Sequence, residues 1–214
     1  MSNLFMEQQT SDKIREIKKS LRLAMNGVVS TLQRRQGLDY KINFGVEIPR
    51  IKEIAAQYGK DRQLADALWQ EDIRECRMIA IFTMPVEEFT ADDADRWIAS
   101  ARYTELADHL SMHLLCNIPD AVDRAIAWAG QKESIAAYCG FSSIGHLLRK
   151  GTAMDSGQQE RYINVTAQAL SDGSETGTVV KQRAYNTFSM FIDTAQPDEE
   201  KIKEHNRLKE LFYL

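Results

Sequence analysis

Glu105, His109 and His113 stand at successive four-residue steps, a spacing that places all three on one face if the segment is helical. Two imidazoles and a carboxylate in that register can hold a divalent metal when a fourth ligand and an outer shell orient them. The sequence names neither, and such a line is more commonly a polar helix face, so no metal and no other cofactor is expected. Arg34-Arg35, Arg149-Lys150 and the pair Lys181 and Arg183 are short basic clusters. Gathered on one surface they would grip phosphates, whereas at helix C-termini they are simply favourable charges against the helix dipole. Cys76, Cys116 and Cys139 are far apart and embedded in apolar segments, and read as buried free thiols of a reducing cytosol. There is no Gly-rich phosphate loop, no Ser/His/Asp order of note and no Cys-x-x-Cys.

The elements that must carry these side chains read as helices throughout. Ile14, Ile17, Leu21, Met25 and Val28 recur at three- and four-residue steps and predict one long helix over Asp12–Gln36, capped by Ser11 or Asp12. A loop over Gly37–Gly45 follows. Ile48, Ile51, Ile54, Ala55 and Tyr58 form the next stripe, with Pro49 in its first turn and Gly59 as its stop. Leu64, Leu68 and Trp69 mark another helix, and Cys76, Ile79, Ala80 and Phe82 the one that runs to Pro85. Thr90 with Asp93 is a capping-box start for Ala94, Trp97, Ile98 and Ala101. Tyr103, Leu106, Leu110 and Leu114 make a helix ending near Asn117. Val122, Ile126 and Trp128 make one opened by Pro119. Ile135, Tyr138, Cys139, Ser142 and Leu147 make one ending at Arg149-Lys150-Gly151. Gln158–Leu170, Thr178–Ile192 and a terminal Asp198–Phe212 complete the chain, with a turn at Ser171-Asp172-Gly173-Ser174.

No segment alternates like a strand, so the fold class is all-α. Trp69, Trp97 and Trp128 recur at spacings of 28 and 31 near the ends of successive apolar helices. That rhythm fits a HEAT-like α-solenoid of stacked antiparallel helix pairs, with an irregular helical bundle as the alternative. At 214 residues the chain suits one such domain, 1–214, and with 43% apolar and 27% charged residues its composition is that of a water-soluble protein. The first residues lack a basic stretch followed by an apolar one, and no run of apolar residues could span a bilayer; a cytoplasmic protein with no membrane contact is expected. The net charge of −4 is unevenly spread: residues 1–60 carry 11 Lys/Arg against 6 Asp/Glu, and residues 61–133 carry 7 against 15. Taken alone, that total argues mildly against tight DNA binding.

Phe44-Gly45-Val46-Glu47-Ile48-Pro49-Arg50-Ile51-Lys52-Glu53-Ile54-Ala55, followed by Leu64-Ala65-Asp66-Ala67-Leu68-Trp69-Gln70 and Ile73-Arg74-Glu75-Cys76-Arg77, resembles the opening of the DNA alkylation repair family of HEAT-like glycosylases, the AlkD type. The match is close over residues 44–84, looser over 95–150 and weak beyond. The resemblance implies a right-handed curl of helical repeats, a concave basic surface for duplex DNA, and release of cationic N3- and N7-alkylated purines. The family's catalytic segment, Trp-Asp-x-Val-Asp, corresponds to Thr104-Glu105-Leu106-Ala107-Asp108. Asp108 is kept as the catalytic carboxylate and Thr104 replaces the aromatic, with Tyr103 one position earlier. The family's arginine position holds Tyr138, within Ile135-Ala136-Ala137-Tyr138-Cys139, and its later tryptophan position holds Asn186, beside Tyr185.

The implied chemistry needs a carboxylate against the positive charge that builds on the sugar as the glycosidic bond breaks. Aromatic faces would hold the cationic base and an arginine would fix a neighbouring phosphate. By the resemblance, Asp108 supplies the first effect, and Tyr103, Tyr138, Arg149, Lys150, Lys181 and Arg183 are the DNA-contacting candidates. The expected function is therefore a DNA-repair-type protein binding duplex DNA, with weak or lost base excision. The alternative is a non-catalytic scaffold for a protein or another ligand.

Overall fold

The computed structural model describes residues 2–171 and 177–194, with isolated positions 203, 206, 207 and 210. The terminal helix expected over 198–212 falls almost wholly outside the described residues, as do turn positions 172–174. The described residues form eleven α-helices and no strand; one isolated parallel bridge joins Ile42 to Ile73. No described helix is long and apolar enough to cross a membrane. The chain divides into two compact units, Met1–Phe89 and Thr90–Leu214.

The first unit holds α1 (Ser2–Leu23), α2 (Gly27–Arg35), α3 (Ile48–Ala56), α4 (Arg62–Trp69) and α5 (Arg74–Thr83). The single helix expected over Asp12–Gln36 is in fact two, and it starts earlier. Asn26 breaks it: its backbone is extended, and its carboxamide oxygen accepts from the N–H groups of Val28 and Val29, both at 3.2 Å. Asparagine competes for backbone donors in this way, which favours a cap over a helix interior. The Asn26 N–H also donates to the Phe44 carbonyl at 2.9 Å, so the break is tied to the following loop.

That loop is set by a buried ion pair. Glu75, fully buried, accepts from the backbone N–H of Phe44 at 3.1 Å and of Val46 at 3.2 Å. Arg74, also buried, reaches Glu75 Oε1 at 3.1 Å and the Val46 carbonyl at 3.0 Å. Gly45 sits between them at φ +69°, where a Cβ would lie 2.3 Å from the Asn26 carbonyl oxygen. Only glycine meets both demands. Apolar residues of α1, α3, α4 and α5, among them Ile17, Leu21, Ile51, Ile54, Leu64, Leu68, Trp69 and Ile79, fill the core around this arrangement.

The second unit holds α6 (Ala91–Ser100), α7 (Thr104–His113), α8 (Ala121–Ala129), α9 (Ser134–Arg149), α10 (Ser156–Leu170) and α11 (Thr178–Thr194), with a 3₁₀ turn at Leu115–Asn117. The capping box expected at Thr90 and Asp93 forms, and a second one joins Asp155 to Gln158 at the start of α10. α9 is the central element, packed against α7, α8 and α11. Twelve of its sixteen residues are buried, so it is apolar nearly all round. Gly140 lets α8 come close: a Cβ there would lie 2.2 Å from the Ala129 nitrogen and 2.6 Å from the Ala125 oxygen.

α11 is registered on α9 in two ways. Thr187 donates its hydroxyl to the Phe141 carbonyl at 3.2 Å. Phe188 and Phe191 pack on Tyr162 of α10, with ring centroids 6.0 and 5.4 Å apart, and Tyr162 in turn meets Phe141 of α9 at 6.5 Å. Aromatic pairs at these separations favour tilted and edge-on geometry, which is what the rings adopt.

Candidate functional site

Asp108 lies on α7 and faces side chains from α9 and α11. Arg183 of α11 places one guanidinium nitrogen, Nη2, 2.8 Å from Asp108 Oδ1 and 3.0 Å from Oδ2. From α9, the Tyr138 hydroxyl donates to Oδ2 at 3.0 Å and the Ser142 hydroxyl donates to Oδ1 at 3.2 Å. Arg183 also donates to the Tyr138 hydroxyl oxygen, and its guanidinium carbon stands 4.7 Å from the centre of the Tyr138 ring. The tyrosine is thus gripped on its face and at its oxygen by the same cation.

Asp108 and Arg183 stay partly open to solvent, with side chains 40% and 28% exposed, while Tyr138 is buried. Burial pushes the Tyr138 phenol above its ordinary pKa; the Asp108 charge adds to the rise and Arg183 opposes it. The phenol therefore keeps its proton and remains a donor to the carboxylate across the neutral range.

One turn beyond Ser142, His146 continues the same stripe of α9. Arg149 Nη1 lies 3.1 Å from His146 Nδ1, and because a guanidinium can only donate, that ring nitrogen accepts. Burial lowers the His146 pKa, and the charges of Arg149, Arg183 and Lys150 lower it further against the opposing pull of Asp108. His146 is a neutral ring at pH 7.

Three of the seven residues singled out in the sequence come together here: Asp108, Tyr138 and Arg183. Arg149 is held to the edge of the cluster by His146. Lys150 turns instead to the 3₁₀ turn, donating to Asn117 Oδ1 at 2.5 Å and to Cys116 Sγ at 3.3 Å. Tyr103 precedes the first turn of α7, with the Arg102 guanidinium 5.6 Å from its ring centre. Lys181 is two residues from Arg183 on α11, a separation at which helical side chains do not face the same way. The His109 and His113 rings stack at 6.0 Å and 6°. Among the described residues, no three His, Cys, Asp or Glu side chains gather to hold a metal ion.

Ser142 and His146 were not singled out as site residues in the sequence. Their signal was a polar stripe, Tyr138, Ser142 and His146 at four-residue steps, on an otherwise apolar helix. The guanidinium missing at position 138 is present in space, delivered from α11 instead. It points at the carboxylate, however, so the cluster is internally neutralised.

Residues 18–177 match the family described as DNA alkylation repair enzyme. A solved structure with a TM-score of 0.75 and 19% identity covers 89% of this chain and 82% of its own; it is described as a new family of proteins related to the HEAT-like repeat DNA glycosylases with affinity for branched DNA structures. A comparison with curated proteins returned no match. The structural likeness bears out the all-α, HEAT-like fold of paired helices expected from the sequence. The chain belongs to the DNA alkylation repair enzyme family.

Proposed function

We propose that this chain is a cytoplasmic, DNA-binding member of its family that releases alkylated bases weakly or not at all. One observation carries the reading: the Asp108 carboxylate already meets a guanidinium and two hydroxyls. A carboxylate that stabilises a cationic sugar must present unspent negative charge to it in the transition state. Here Arg183 compensates that charge, and opening the pair would leave the Tyr138 hydroxyl oxygen without its guanidinium donor. The family's aromatic faces are also absent at positions 104 and 186. Each lost electrostatic contact of this kind costs about 2–4 kcal/mol of transition-state stabilisation, or two to three decades in rate. Together these losses bring base release down toward the spontaneous rate.

Arg183, Arg149 and Lys181 can still serve a phosphate backbone, since phosphate contacts position a duplex without reading its sequence. The test is fluorescence anisotropy with a linear duplex at low salt, followed by a base-release assay on N3- and N7-methylpurine DNA. The expected result is binding without release above background. Robust excision abolished by Asp108→Asn would overturn the claim of lost chemistry. No binding even at low salt would leave the non-DNA scaffold ahead.

A further inference from the structure

α2 buries none of its residues. Leu23 and Met25, which lead into it, are 81% and 59% exposed, and Val28 and Leu32, one turn apart on it, are 80% and 54% exposed. Four large apolar side chains within ten residues on open surface are unusual for a soluble chain and mark a contact surface. The helix that bears Val28 and Leu32 is firmly mounted. Its N-terminus is capped by Asn26, Asn26 is hydrogen-bonded to Phe44, and Gly45 is packed against Asn26 and Ser30. The patch is therefore rigidly presented.

Its surroundings are basic. Lys19, Arg22, Arg34 and Arg35 are exposed, and none has an acidic partner among the described residues. Between positions 18 and 38 there are five Lys/Arg and no Asp/Glu. Exposed cations on both sides of an apolar segment in the chain complement a polyanion that can offer apolar surface of its own. Linear duplex offers little, because its base faces are stacked; a branch point exposes terminal base pairs whose faces are uncovered. Proteins that insert Leu, Ile or Met between bases beside basic residues exploit this combination. An anionic bilayer is the other polyanion with apolar depth, but α2 is nine residues long and membrane-surface helices carry a longer continuous apolar face.

We propose that α2, with Leu23 and Met25, is a DNA-contacting wedge that covers the exposed base pair at a branch point while Lys19, Arg22, Arg34 and Arg35 hold the flanking phosphates. The inference rests on the DNA-binding reading above and deepens it by naming a DNA structure and the residues that would recognise it.

The full chain is compared on a four-way junction and on a linear duplex of matched sequence, with 2-aminopurine placed at the branch point. Val28→Ser with Leu32→Ser should lose at least about tenfold in affinity for the junction, since one buried Val or Leu contact alone is worth that much, and keep its affinity for linear duplex. The 2-aminopurine signal change should disappear with it. Arg34→Glu with Arg35→Glu should weaken both DNAs. Leu23→Ser with Met25→Ser gives a second variant should the first not fold. A parent chain that prefers the junction while the serine variants retain that preference overturns the wedge and leaves DNA binding standing. A parent chain that binds neither DNA overturns both. Binding to phosphatidylglycerol vesicles, or a dimer, that is lost in the serine variants assigns the patch to a membrane or to a second copy and overturns the wedge.

Discussion

At Asp108 the ion pair with Arg183 is partly exposed, so water screens it and its removal costs little stability, about 1 kcal/mol or less. Its consequence is for binding. Asp108→Asn removes an anion from the cluster proposed to meet DNA and releases Arg183, with almost no change in volume. Affinity for linear duplex should hold or rise a few-fold, and base release should stay at background; a tenfold loss of affinity would show that the carboxylate is needed to position Arg183. His146 makes stability depend on pH. Burial and three nearby cations lower its pKa in the folded chain below the ordinary value of 6.5. The unfolded chain then takes up its proton first as pH falls, so the folded state is favoured above about pH 6.5 and loses that advantage as pH drops through the folded pKa. Chemical denaturation should show stability declining from pH 7 to pH 5, and His146→Gln should flatten that decline. An unchanged profile would mean that the ring charges as easily in the folded chain as in water.

Gly140 and Glu75 show how elements fix what the residues do. Gly140 lies between Tyr138 and Ser142 on α9 and against the backbone of α8, so Gly140→Ala must push the two helices apart. Overpacking of this kind costs about 1–3 kcal/mol, and here it would also move both hydroxyls relative to Asp108. Glu75→Gln would leave the Arg74 guanidinium buried without its counter-charge, at a cost of about 3–5 kcal/mol. Both losses are measurable by urea denaturation, and a cost under about 0.5 kcal/mol in either would mean the helices adjust freely. The second case explains why residues 44–84 were the most legible part of the sequence. Gly45, Val46, Arg74 and Glu75 form one locally determined structure, in which a pattern of residue types reflects a pattern of contacts. Helix periods were legible for the same reason, because burial of one face repeats every turn. The break at Asn26 escaped that reading since Met25 and Val28 continue the apolar stripe across it, although both are exposed; Asn26-Gly27 was the available sign. The pairing of Asp108 with Arg183 was beyond reach. The two are 75 residues apart, and their meeting depends on the register of α11 against α9, set by Thr187 and four aromatic rings.

For the whole chain, charge decides how DNA binding should depend on salt. The net charge of −4 repels a duplex at distance, and only local clusters attract it once the Debye length, about 10 Å at 0.1 M salt, has been crossed. The basic excess sits in residues 1–60, while residues 61–133 are acidic. If Lys19, Arg22, Arg34 and Arg35 supply most of the phosphate contacts, about four counterions are released. The slope of log affinity against log salt is then about −3.6. Between about 50 and 200 mM salt the affinity should fall by roughly two decades, far less than for a protein that grips ten phosphates. Arg34→Glu with Arg35→Glu should make the slope shallower by about two, because each lost cation leaves one phosphate with its counterions. The measurement is a salt titration of anisotropy with parent and variant on the same DNA. A slope near zero in the parent would remove the ionic basis of DNA binding. A steep slope untouched by the variant would place the phosphate contacts on other cations, with Arg183, Arg149 and Lys181 the next to be reversed.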